Sequence, residues 1–245
     1  MHVSDNILSY AMIHRGPFKK RELAEHLHAY GEINDMSLNT ILSRLVSTSR
    51  LVKTGWGEYS LPKEGKYKWV LLPQSETAEL ARKLMNRYPL ADFCIWEAGS
   101  IVPFMLHVPN NKMTIIDVER SLLRTFFDAI REMCPDAFVL LNPSKDDYYK
   151  YGSGRDCIVV NPLYSESPLE EVEGMVVPAA EKVLVDIAVN PEFDYLQGSE
   201  VFTIYENVLT DCFISQPKLK RYARRRRETT RIQTILNNIE LLKND

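Results

Sequence analysis

The chain has 245 residues, 45% of them hydrophobic and 26% charged, with a formal net charge of −3. That composition suits one large folded domain or two smaller ones, its apolar runs fall far short of the ~20 residues of a membrane helix, and "MHVSDNILSY" lacks the basic-then-apolar order of a secretory leader. A soluble, cytoplasmic protein without membrane contact is expected. Cys94, Cys134, Cys157 and Cys212 stand singly with no CxxC pair, so reduced thiols are expected, with no disulfide framework, metal site or cofactor.

Charge is unevenly spread. Residues 1–70 carry ten basic and seven acidic side chains, residues 71–216 eleven and twenty-three, and residues 217–245 nine and three. Two basic ends flank an acidic middle, and they could hold a polyanion or pair with that middle.

The first predicted helix is "SDNILSYAMIHRG", with Ser4 as N-cap, Ile7, Leu8, Ala11 and Met12 on its apolar face, and Gly16 with Pro17 as the stop. "KKRELAEHLHAYG" forms the second, with Leu23, Ala24 and Leu27 on one face and Gly31 ending it. After "EINDM", the third helix "SLNTILSRLVSTSR" repeats Leu38, Ile41, Leu42 and Leu45 at i, i+3, i+4 and i+7. This leaves Ser37, Asn39, Thr40, Ser43, Arg44 and Ser47 on the other side, where small polar side chains can approach phosphates and base edges. "RLVKTGWGEYSLP" then gives two β-prone runs about Gly55-Trp56-Gly57, a hairpin pattern.

Three helices and a hairpin in this order resemble a winged helix-turn-helix domain, here assigned to residues 1–70. In such a domain the third helix enters the major groove and the wing lies beside the backbone. The expected DNA contacts are therefore Ser37, Asn39, Thr40, Ser43, Arg44, Arg50 and Lys53. The competing reading is a docking or dimerisation module that binds no nucleic acid.

Residues 71–245 read as a second domain. After the helix "SETAELARKLMNRY", capped by Ser75 and stopped at Pro89, come strands "FCIWEA", "MTIIDVE", "AFVLLNP" and "DCIVVNPL", with the helix "RSLLRTFFDAIREM" between the second and third. "GMVVP" leads into the helix "AAEKVLVDIAV", and "SEVFTIYENVLTDCF" adds another, capped by Ser199. The alternation predicts an α/β domain with a mixed sheet, so the fold class is mixed α+β and α/β. Asp117 and Glu119, at alternate positions, offer an alternative function as the carboxylates of a metal-dependent nucleotidyltransferase or nuclease. Such an enzyme also needs a phosphate-holding turn closer than Gly99-Ser100 stands, or an acid-x-lysine that is absent, so no catalysis is expected. A third alternative is a protein-interaction scaffold.

From Lys218 to Leu242 there is neither glycine nor proline, which predicts one long helix over about 215–243, capped by Ser215 with Pro217 in its first turn. Lys220, Arg224, Arg227 and Arg231 follow one another at helical spacing and, with Arg221 and Arg225, form a basic ridge. Its expected partner is nucleic-acid phosphate; the alternative is the chain's own acidic middle. Lys182 and Asp186, at i and i+4, are expected to make a local pair.

With these residues read, the chain resembles the AbiEi-type antitoxins and related winged-helix bacterial regulators. The resemblance rests on the winged helix, then Pro178, Glu181, Lys182, Leu184 and Asp186 in "VVPAAEKVLVDI", then Arg221, Tyr222, Arg225 and Arg226 in the basic helix. It implies an antitoxin of a type IV toxin–antitoxin, or phage-defence, operon that represses its own transcription by binding operator DNA. It further implies functional pairing with a nucleotidyltransferase-like toxin. The basic ridge would then extend the operator footprint or hold an RNA connected with the toxin's target, and a homodimer would suit repeated operator sites.

Overall fold

Three amphipathic helices and three short strands build the first unit, in a computed structural model that describes residues 3–14, 17–28, 34–48, 50–55, 57–61 and 67–242. The expected stops at Gly16 and Gly31 and the Trp56 hairpin tip lie outside these residues. By its contacts the chain divides into one unit of Met1–Val70 with Leu209–Phe213 and a second of Leu71–Val208 with Ile214–Asp245.

In the first unit α1 (Val3–His14) starts ahead of Ser4, which therefore lies in its first turn instead of capping it. β1 (Phe18–Lys19) leads into α2 (Lys20–His28), and α3 (Asp35–Ser47) follows. α3 begins two residues earlier than its apolar repeat suggests because Asn34 caps it, its side-chain oxygen accepting the Ser37 N–H at 2.8 Å. Ile7, Phe18, Leu23, Leu38, Leu42 and Leu45 fill the shared core, each worth about 2 kcal/mol on burial. β2 (Val52–Gly55) and β3 (Glu58–Ser60) pair antiparallel, and β1 pairs with the other edge of β3. Gly57 stands at φ 67 between them, the left-handed region that favours glycine. Leu209–Phe213 joins this unit through backbone bonds that no local pattern announces: the Tyr67 N–H donates to the Asp211 carbonyl and the Phe213 N–H to the Tyr67 carbonyl, both at 2.9 Å.

In the second unit α4 (Ser75–Arg87) is followed by β4 (Phe93–Glu97), β5 (Met113–Val118), α5 (Leu123–Met133) and β6 (Phe138–Leu141). A single turn α6 (Lys145–Asp147) runs into a π-helical turn, Tyr148–Gly152, before β7 (Cys157–Pro162). The sheet order is β4-β5-β7-β6, with β4 antiparallel to β5 and the other pairs parallel. It is the mixed sheet implied by the alternating strands and helices, and the protein is mixed α+β. A hairpin of β8 (Leu169–Val172) and β9 (Met175–Pro178) precedes α7 (Ala180–Val189), α8 (Ser199–Asp211), α9 (Gln216–Arg225) and α10 (Thr229–Leu242). No described helix is long and apolar enough to cross a membrane.

β4 and β7 are buried along their whole length, so the sheet is covered on both faces. On one face Phe93, Ile95, Ile116, Val118, Ile158 and Val160 pack against α4 and α5 in an entirely apolar layer. On the other, strand register sets Cys94 beside Asp117 and Asp117 beside Asn161, a row of polar side chains across three strands.

Candidate functional site

α3 turns Leu38, Leu42 and Leu45 inward and leaves Ser37, Asn39, Thr40 and Ser43 exposed. The Thr40 hydroxyl donates to the Met36 carbonyl at 2.9 Å, so only its lone pairs face outward. Arg44 is half-buried on the flank of this face. Lys53 pairs with Tyr59 through the β2 backbone, and its side chain lies outside the described residues.

Arg50 corrects the expected set of contacts. It is buried, and burial lowers its guanidinium pKa against the pull of Asp5, Tyr67 and Cys212. Its charge is used inside the first unit and is not presented to a groove. The winged-helix resemblance places it among the contacts, whereas the chain turns back at this point, the Arg50 backbone N–H donating to the Leu45 carbonyl at 2.9 Å.

The expected single C-terminal helix is two helices. Arg227 takes φ 61, its N–H donates to the Arg224 carbonyl at 3.0 Å, and the Glu228 N–H donates to the Ala223 carbonyl at 2.9 Å. This pair of bonds is the Schellman termination, which places a left-handed residue just beyond the helix end. Glycine normally fills that place, and an arginine there gave no local sign of a stop. The break also divides the basic ridge. Lys220, Arg221, Arg224 and Arg225 remain exposed on α9, Arg227 is exposed in the turn, and Arg231 is exposed on α10, where it donates to the Gln197 side chain. Arg221 and Arg225 both pair with Glu166.

Arg226 points inward. It donates to Asp186, donates to the Asn190 side chain at 2.5 Å, and stacks over the Tyr164 ring at 4.3 Å. Asp186 also accepts from the Tyr222 hydroxyl at 3.1 Å and from Lys182. The local Lys182–Asp186 pair expected on α7 is thus part of a larger cluster, because Lys182 donates at 2.5 Å to Asp117 on β5 as well. Two carboxylates and two cations balance in the interior. Burial opposes the Lys182 ammonium, yet Asp117 and Asp186 beside it hold its pKa well above the usual lysine value. Burial, aided by Asp186, raises the Asp117 carboxyl despite Lys182. A further bond ties α7 to α9, the Ser215 N–H donating to Glu181 at 2.7 Å at the start of α9. Glu181, Lys182, Asp186, Tyr222 and Arg226, singled out separately in the sequence, therefore meet at one joint between α7 and α9.

Asp117 and Glu119 do not form a carboxylate pair. Lys182 fills the space in front of Asp117, where a divalent ion would have to stand, whereas Glu119 lies beyond the end of β5 and accepts from the Ser121 hydroxyl. Among the described residues no group of three or more His, Cys, Asp or Glu side chains is placed to hold a metal ion.

Glu192 and Asn161 were not anticipated. Glu192 is fully buried in the 3-10 turn Pro191–Leu196, and one carboxylate oxygen accepts from Asn161 at 2.6 Å and from Asn190 at 3.0 Å. The other oxygen has no partner among the described residues, and burial pushes the carboxyl pKa up to about 7. A polar residue interrupting an apolar strand, Asp117 in "MTIIDV" and Asn161 in "CIVVNP", is the signal that could have located this cluster.

The architecture defines a class: a small unit with an exposed polar helix face, and a mixed α/β unit in which a buried ionic joint pins α9 to α7. The chain belongs to DUF6577, a family of unknown function, whose model matches residues 37–241. No curated protein matches it.

Proposed function

We propose that this protein is a DNA-binding transcriptional regulator whose first unit is a winged helix-turn-helix domain reading operator DNA through α3. The observation that carries this reading is the division of α3 into a buried leucine face and an exposed face of Ser37, Asn39, Thr40 and Ser43. These side chains are short enough to let a helix backbone approach a major groove, and Asn39 can make a paired hydrogen bond with an adenine edge. The order α1-β1-α2-α3-β2-β3 with the sheet β1-β3-β2 supports the same reading. The resemblance to AbiEi-type antitoxins extends it to an antitoxin that represses its own operon and opposes a nucleotidyltransferase-like toxin.

The test is binding of the full-length protein to DNA from immediately upstream of its own gene and to a scrambled duplex of equal length. The upstream duplex is expected to bind more tightly, and Asn39→Ala with Ser43→Ala to remove about ten- to hundredfold of that preference. Equal binding of the two duplexes by the unaltered protein, or an unchanged preference in the variant, overturns the reading. A cognate toxin would be sought by whether the protein relieves growth arrest caused by a neighbouring gene.

A further inference from the structure

The arginines of the α9 turn divide into one that is structural and several that are not. Arg226, held by Asp186, Asn190 and Tyr164, anchors the turn to the interior. Its sequence neighbours Arg224, Arg225 and Arg227 are exposed. The acidic middle of the chain reaches this surface through Glu166, which pairs with Arg221 and Arg225. No described carboxylate pairs with Lys218, Lys220, Arg224 or Arg227.

Cations at a helix C-terminus oppose the negative end of its dipole, and that accounts for part of the cluster. It does not account for Arg227. A non-glycine residue in the left-handed region costs about 1 kcal/mol, and Arg227 adopts it at φ 61. The turn tolerates this side chain at a position where glycine would close it more stably.

The chemistry of the surface restricts its partner. Apart from Gln216 and Pro217, every exposed residue on α9 is lysine or arginine, and Leu219, Tyr222 and Ala223 are buried. A helix that lies in a membrane surface needs an apolar face turned outward, and a stable protein interface needs an apolar centre. A phosphodiester backbone needs neither. Guanidinium groups fit its oxygens, and each contact releases counterions.

We propose that the outward face of α9 and its C-terminal turn, through Lys220, Arg224 and Arg227, bind the backbone of DNA without reading its sequence. The choice of DNA over other polyanions rests on the α3 reading.

The experiment titrates the full-length protein against the upstream duplex, the scrambled duplex and an RNA duplex over a salt series, following fluorescence anisotropy. Lys220→Gln, Arg224→Gln and Arg227→Gln together should reduce the slope of log affinity against log salt by about 2 to 3 on both DNA duplexes and leave the preference between them unchanged. Arg227→Gly alone, a change the turn itself favours, should reduce the slope by about 1. An unaltered slope on both DNA duplexes overturns the proposal, as does a reduction seen on RNA alone or a wild-type protein that binds no DNA. If Asn39→Ala with Ser43→Ala leaves the preference intact while the triple variant still loses slope, the α3 reading falls and this surface remains.

Discussion

Lys182 on α7 donates to Asp117 on β5 across 65 positions of sequence, and both side chains are almost completely buried. The bond fastens α7 to the polar face of the sheet, and the same ammonium reaches Asp186, which in turn holds Arg226 at the end of α9. A chain of charges therefore runs from the middle of the sheet to the turn that displays the exposed arginines.

Removing one member of such a set leaves an uncompensated buried charge. Lys182→Met is expected to destabilise the fold by about 3 to 5 kcal/mol, because Asp117 loses its cation. Lys182→Met combined with Asp117→Leu leaves the Asp186–Arg226 pair neutral and should recover much of that loss. Urea unfolding of the two singles and the double supplies the cycle; a double variant no more stable than Lys182→Met contradicts the assignment of a balanced cluster.

The cluster shows why sequence reading reached some features and missed others. α2, α3 and the strands of the sheet follow from local periodicity, and the Lys182–Asp186 pair follows from helical spacing. Asp117 and Glu192 join it only through tertiary contacts, which no window of sequence contains. No apolar alternation announces the β8–β9 hairpin in the charged run "LEEVEG", yet Glu173 at φ 53 and Gly174 at φ 76 form the tight turn that strand twist favours. The division of α9 from α10 was hidden for a similar reason: stop signals are glycine and proline, and here an arginine takes the left-handed position.

Glu192 gives stability a pH dependence of defined sign. Its carboxyl titrates at about 7 in the folded protein against an ordinary value of 4.5, because burial penalises the charged form. Asp117, Tyr148, Cys157 and Tyr195 couple to it electrostatically, and none of them supplies a cation. The folded state binds the proton more tightly than the unfolded state, so this contribution is fully present below about 4.5 and is lost as pH rises to about 7. Glu192→Gln should flatten that decline and be the more stable protein at pH 8 by on the order of 3 kcal/mol, with little difference at pH 4.5. Chemical denaturation at several pH values checks it; parallel pH profiles for the two proteins would refute it.

Adjacent arginines should behave oppositely. Arg226→Gln removes a charge that Asp186 and Asn190 require in the interior, and a loss of about 3 kcal/mol or more is expected. Arg225→Gln removes a half-exposed pair with Glu166 and should change stability by less than about 1 kcal/mol. Thermal unfolding of both distinguishes an anchored residue from a displayed one; a loss below about 1 kcal/mol for Arg226→Gln would show that its inward orientation carries little stability.

Arg227→Gly separates the stability of the turn from its use. Glycine enters the left-handed region without a Cβ penalty, so the Schellman termination of α9 should tighten and the protein gain about 1 kcal/mol. Glycine also loosens the unfolded chain, which offsets part of the gain. The net change is expected to remain stabilising because φ 61 is already imposed by the bonds from Arg227 to Arg224 and from Glu228 to Ala223. DNA affinity at low salt should fall in the same variant, since a backbone contact is lost. A gain in stability together with weaker binding marks a residue kept for its charge at the expense of the fold. Weaker stability would instead mean that the arginine side chain supports the turn, and the exposed surface of α9 would have to be reassigned to a structural role.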